Sequence, residues 1–131
     1  VLKTIRLAAA KTHVEITTLV IDGKNSSSDE MERLSRFIAD IDPDIPLHLS
    51  RYHPSFRMKD PPTSVETLIR LRDIALKNLK YVYIGNVMGV DNNTRCPKCN
   101  NLLINRFKAV EVSGVLDGRC SHCGYRVPME L

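Results

Sequence analysis

Tryptophan is absent from the 131 residues, aromatic side chains make up 5% of them, and no cysteine occurs before position 96. No stretch approaches the ~18 to 20 uninterrupted apolar residues that a bilayer-spanning helix needs. The opening VLKTIRLAAA carries Lys3 and Arg6 and lacks a small-residue cleavage site, so it does not read as an export signal. The cysteines come as two close pairs near the end, which argues against scattered disulfides and for one metal site in a reducing compartment, with iron or disulfide as the alternatives to zinc. These absences predict a cytoplasmic chain with no membrane segment. Strong charge imbalance is also missing: 19 basic residues face 15 acidic ones, a formal charge of +4. Residues 1–90 hold 13 basic and 11 acidic side chains and residues 91–131 hold 6 and 4, with signs interleaved as in Arg33, Arg36, Asp40 and Asp42. A surface that tracks phosphates would cluster its cations, so nucleic acid is a disfavoured partner.

What is present is enough apolar material, 43% of residues, for an ordinary core. Helix-like and strand-like patterns alternate in the order α, β, α, β, α, β. Residues 2–11 put Leu2, Ile5 and Ala9 on one helical face. Val14 to Ile21, VEITTLVI, is β-branched almost throughout and reads as a strand buried on both sides. Ser27 and Glu30 have capping-box spacing before a helix from Asp29 to Ile41 that turns Met31, Leu34, Ile38 and Ile41 inward. Pro46 to Arg51 reads as a second strand. Thr63 with Glu66 is expected to cap a third helix, running to about Asn78 with Val65, Leu68, Leu71 and Ala75 inward, and Tyr81 to Val87 closes the series as a third strand. Strands separated by such helices predict parallel βα units. The leading helix has no strand before it and position 1 is not methionine, so we expect the later part of a larger βα array. Its earlier strands would come from a missing amino-terminal half or a partner subunit, or an exposed strand edge would pair two copies; the alternative is a compact three-stranded domain with a helix over its edge.

The strongest local signal is Cys96-Pro-Lys-Cys99 and Cys120-Ser-His-Cys123, a C-x2-C-x20-C-x2-C pattern. Two residues between paired cysteines allow a tight turn to aim both thiolates at one ion, at the ~2.3 Å of tetrahedral zinc. Four thiolates leave no open position, so the site is expected to be structural; iron, as in rubredoxin, shares the same ligand set. His122 lies inside the second pair but is surplus to a complete set. The insert holds two β-prone runs, Leu102 to Arg106 and Ala109 to Val112, able to form a ribbon. Residues 91–131 therefore read as a metal-stapled module, and residues 1–90 as the βα segment.

The loop SRYHPSFRMKDPPT, residues 50–63, concentrates Arg51, His53, Arg57, Lys59 and Asp60 at the carboxyl end of a strand, the edge where parallel α/β folds bind ligands. The ordered series VEITTLVI, HLSRYHPSFRMKDPPT, YVYIGNV, CPKC and CSHCG resembles the carboxyl-terminal part of the AmmeMemoRadiSam-system radical SAM enzymes, which are pyruvate formate-lyase activating enzyme-like proteins. The resemblance covers nearly the whole chain. It implies the second part of a radical SAM partial (β/α) barrel, a partial TIM barrel, followed by a zinc-ribbon-like tail. In that family an amino-terminal C-x3-C-x2-C motif holds a four-iron, four-sulfur cluster that binds S-adenosylmethionine. No C-x3-C occurs here, so the chain alone is expected to be inactive.

The resemblance puts His53 near S-adenosylmethionine as a hydrogen-bond partner, Arg51 beside it as a partner for a carboxylate, and Gly85 and Asn86 at the same mouth. One departure is Asp22-Gly23, where related sequences tend to have proline before the glycine. His13 and His48 read as structural and stand outside the expected site. The competing expectation is a non-enzymatic zinc-ribbon module that binds nucleic acid or protein. Metal analysis of the purified chain is expected to find about one zinc per molecule and no iron-sulfur absorbance; a chromophore with acid-labile sulfide contradicts this.

Overall fold

Short strands separated by amphipathic helices can satisfy every backbone group only by pairing side by side, and in the computed structural model they do so as one parallel sheet. Residues 1–128 are described; the last three positions of the expected carboxyl-terminal module lie outside them. Two units divide between Met88 and Gly89. Among the described residues no helix is long and apolar enough to cross a membrane.

The first unit contains α1 (Leu2–Ala9), β1 (Ile16–Val20), α2 (Ser28–Ile41), β2 (Leu47–Arg51), α3 (Val65–Ala75) and β3 (Val82–Gly85). The strands lie in the order β1-β2-β3, all parallel. Their register aligns Ile16, Leu47 and Val82 in one row and Thr18, Leu49 and Ile84 in another. These rows and Val20 face α2 and α3, which pack against each other, α3 also touching β2 and β3. The core there is Val20, Leu47, Leu49 and Ile84 with Met31 and Ile38 of α2 and Leu68, Leu71 and Ala75 of α3.

Because side chains alternate along a strand, the intervening rows emerge on the opposite face. They are Thr17, His48 and Tyr83, then Leu19, Ser50 and Gly85, all exposed or half-buried. The expectation that β1 is buried on both sides is therefore corrected: Thr17 is exposed and Leu19 is 49% exposed. Two successive crossovers of one hand put both helices on a single face and leave the other open. Nor is α1 a core helix. None of its residues is buried, Leu2 and Leu7 are exposed, and Arg6 lies 5.1 Å above the Phe37 ring of α2.

The outer edge of β1 is partly closed from within. The Asn25 amide donates to the Leu19 carbonyl and accepts from the Ile21 N–H, both at 2.8 Å, as a neighbouring strand would.

The Ser27 hydroxyl caps α2 by accepting from the Glu30 N–H at 3.2 Å. At α3 the expected Thr63 cap is displaced by one residue. Ser64 caps instead, accepting from the Thr67 N–H at 3.1 Å, while its own N–H donates to Asp22 at 2.9 Å. Thr63 is fully buried, its hydroxyl donating to the Val20 carbonyl and accepting from the Tyr52 N–H. It joins the carboxyl ends of β1 and β2 where their ladder stops, a need that only the three-dimensional arrangement creates.

The second unit contains β4 (Thr94–Arg95), β5 (Leu102–Asn105), β6 (Glu111–Val112), β7 (Val115–Leu116) and β8 (Arg119–Cys120), in an antiparallel three-stranded sheet and a separate hairpin. Its core is Cys96, Leu103, Ile104, Cys120 and Val127. Gly114 is required by close approach: a Cβ there would sit 1.9 Å from the Leu102 carbonyl oxygen.

Replacing Thr63 with Val strips two buried hydrogen bonds and is expected to cost about 1–3 kcal/mol in urea unfolding. Glu66→Ala, which removes no cap, should stay within about 0.5 kcal/mol. Equal losses would show that Thr63 acts as a cap after all.

Candidate functional site

The two cysteine pairs are held by the same local geometry. After the first, Asn100 at φ +61 donates its N–H to the Cys96 carbonyl at 2.8 Å, and the Cys96 N–H donates to the Asn101 carbonyl at 2.8 Å. After the second, Gly124 at φ +74 donates to the Cys120 carbonyl at 2.9 Å, and the Cys120 N–H donates to the Tyr125 carbonyl at 2.8 Å. Each turn closes through a left-handed residue four positions after its first cysteine. Glycine fills that place at no steric cost, and asparagine is among the few other residues that tolerate it.

The turns bring four Sγ atoms within 4.8 Å of one another. Across the turns, Cys96 and Cys123 are 3.6 Å apart and Cys99 and Cys120 are 3.7 Å apart. Bonds of ~2.3 Å to a central ion imply tetrahedron edges of about 3.8 Å, so the donor set fits one tetrahedral metal. The separations exclude disulfides, and all four thiols are free. Cys96 and Cys120 are buried while Cys99 and Cys123 are half-buried. Desolvation opposes charge on Cys120, but donation from the Cys123 and His122 backbone N–H groups and from the Cys99 and Cys96 thiols outweighs it, lowering its pKa to about 6. The Asn101 amide lies 3.8 Å from the Cys120 sulfur as a further donor. His122 is exposed and outside the tetrad.

At the carboxyl edge of the parallel sheet, the four residues expected to form a cofactor site divide. His53, Gly85 and Asn86 come together: His53 Nε2 is 3.5 Å from the Asn86 carbonyl, and the Asn86 amide donates to the Ser50 hydroxyl at 3.0 Å. Asn86 holds φ +60 as β3 ends, which turns the backbone out at that point. Arg51 is committed elsewhere. It follows Leu47 and Leu49 in the alternation of β2, and its Nε donates to the Thr63 carbonyl at 2.7 Å. It therefore secures the return of the 50–63 loop.

A cluster outside the expected site occupies the open sheet face. Glu15 accepts from His13 Nε2 at 3.1 Å through one carboxylate oxygen and from His48 Nε2 at 2.8 Å through the other. The His48 ring stacks on Tyr83, with centroids 5.5 Å apart. Glu15 and His48 lie 33 positions apart, and the sequence signals for the cluster were a polar Glu15 inside a run read as buried on both sides and the reading of His13 and His48 as structural. The hydrogen bond from His13, then that from His48, holds the Glu15 carboxyl below its ordinary value.

Similarity to known proteins places little name on this geometry. The chain is 40% identical over 126 residues to the uncharacterized protein MJ0808 of Methanocaldococcus jannaschii, a match that takes in 90% of this chain and 38% of that protein. It thus spans well under half of that relative's length. No protein-family model and no solved structure matches the chain.

Two outcomes follow. Asn100→Gly should leave metal affinity unchanged, whereas Asn100→Val forces a β-branched residue into the left-handed region and should weaken it at least tenfold in competition with a chelator. Because the folded Glu15 carboxyl is depressed, its contribution to stability is present above the ordinary glutamate range and is lost as pH falls through the depressed value. The stability gap between the wild type and Glu15→Gln should therefore close on acidification; a gap that widens would contradict the pairing.

Proposed function

We propose that this chain forms the later wall of a radical SAM partial (β/α) barrel of the AmmeMemoRadiSam type and carries a structural zinc ribbon as its carboxyl-terminal module. The observation that carries this reading is the one-sided sheet: α2 and α3 cover one face, while the other is polar and runs up to His53, Ser50 and Asn86 at the strand ends. In closed βα barrels the face away from the helices lines the interior, and ligands enter at the carboxyl ends of the strands.

Cysteine arithmetic divides the labour. The chain's four cysteines all belong to the tetrad, so its donor set does not fit a separate iron-sulfur cluster. Cluster ligands would belong to another part of such an enzyme, in the same polypeptide or a partner subunit, and the chain has no radical chemistry of its own. Its contribution at the mouth would be His53, Gly85 and Asn86 toward S-adenosylmethionine, with Arg51 supporting the loop from beneath. Zinc is the ion we propose, with iron sharing the same four-thiolate set; because four thiolates leave no open coordination position, its work would be to fold a segment too small to do so unaided.

A second reading, the ribbon as a protein-binding module, is favoured by the exposure of Phe107, Val110 and Leu116. Titration of the complete protein with S-adenosylmethionine separates the two. His53→Ala is expected to weaken binding about tenfold without changing zinc content, the worth of one good hydrogen bond. Unaltered binding, or a complete protein that lacks C-x3-C-x2-C, overturns the barrel reading.

A further inference from the structure

Glu15, His13, His48 and Tyr83 have no part in the metal centre or the carboxyl-edge site, yet they form a connected polar group on the open face. A carboxylate only accepts hydrogen bonds, so each imidazole Nε2 facing Glu15 must carry the proton. For neutral His48 this leaves Nδ1 as a bare lone pair. The same arrangement, a carboxylate fixing one ring nitrogen so that the other stays available, orients metal-binding and acid-base histidines generally.

His48 is held on two sides, by the Glu15 hydrogen bond and by the Tyr83 ring. It sits on β2, the central strand paired on both sides, with Ser50 next on the same face. Its side chain is 34% exposed, enough for a ligand to reach it. Among the described residues, the rows flanking it contribute Thr17, Leu19, Ser50, Tyr83 and Gly85, none of them cationic; Glu15 hydrogen-bonds His48, Tyr83 stacks on it, and His13 reaches the same carboxylate.

We propose that the open face of the sheet is a ligand site for a protonated amine, in which His48 Nδ1 receives an N–H of the ligand and Glu15 is the residue that positions His48. A primary ammonium donates one N–H to Nδ1 and is drawn by the carboxylate behind the ring; no bond is made or broken and the proton stays on the amine. The site needs neither the barrel reading nor the metal, only the geometry of β1, β2 and β3.

The test is nitrogen-15 NMR of the histidine rings in the zinc-loaded chain at neutral pH, titrated with ethylammonium chloride and, at matched ionic strength, with sodium acetate. His48 should show the Nε2–H tautomer, and its Nδ1 resonance should shift saturably with ethylammonium and not with acetate, while exposed His122 does not respond. Glu15→Ala should abolish the saturable shift and release the tautomer into a mixture. A Nδ1–H tautomer in the wild type overturns the proposal, as does a response equal to that of His122 or retained in Glu15→Ala. Should Glu15→Ala fail to fold, the wild-type tautomer and the ethylammonium-against-acetate comparison decide alone. Failure here leaves S-adenosylmethionine binding at His53 untouched, so the two readings fall separately.

Discussion

Two strand-to-strand crossovers on the same side of one sheet govern the first unit. A parallel pair cannot be closed by a tight turn, so each connection must carry a helix back over the sheet, and the preferred hand sends both helices to one face. That constraint explains why Leu47, Leu49 and Ile84 are inaccessible while His48, Ser50 and Tyr83, their immediate neighbours, are not. It also puts every strand's carboxyl end, and hence Asp22, Thr63 and Asn86, along one edge. The buried Thr63 hydroxyl does there what the ladder no longer can, tying β1 to the segment that follows β2.

A different constraint governs the second unit. Its strands are two to four residues long, and two of its five fully buried apolar positions are cysteines. The candidate metal ligands thus occupy the middle of the core, where a larger protein would place leucines. With so little apolar area, bonds to an ion held there would supply the folding energy that burial cannot. Asn100 and Gly124 then matter as much as the sulfurs, because the left-handed turn they permit aims each pair at a common point.

Much of this was legible from residue order. The alternation of elements, the Ser27 cap and the inward positions of α3 follow from local pattern, and the cysteine spacing announced the tetrad. The exceptions share a cause. The placement of β1 as a two-sided strand failed because a β-branched run looks the same whether one or both of its faces are covered; Thr63 was read as a cap because capping spacing is local, whereas its real partners, Val20 and Tyr52, are brought to it by the fold. Arg51 and His53 stood together in one loop, but strand alternation separates them, sending the first beneath the loop toward the Thr63 carbonyl. Asn100 escaped notice because asparagine, unlike glycine, gives no strong signal of a left-handed turn.

By itself the sequence determined which segments become helices and strands, that the strands pair in parallel, and that four sulfurs meet, since each of these is encoded by period or spacing within a short stretch. Only the tertiary structure decided which face of the sheet stays open and which polar residues share it. Glu15 and His48 are 33 positions apart and meet because β1 and β2 pair in one register. A shift of one residue in that register would send His48 into the helices and leave Glu15 without its second partner, and no local pattern records that choice.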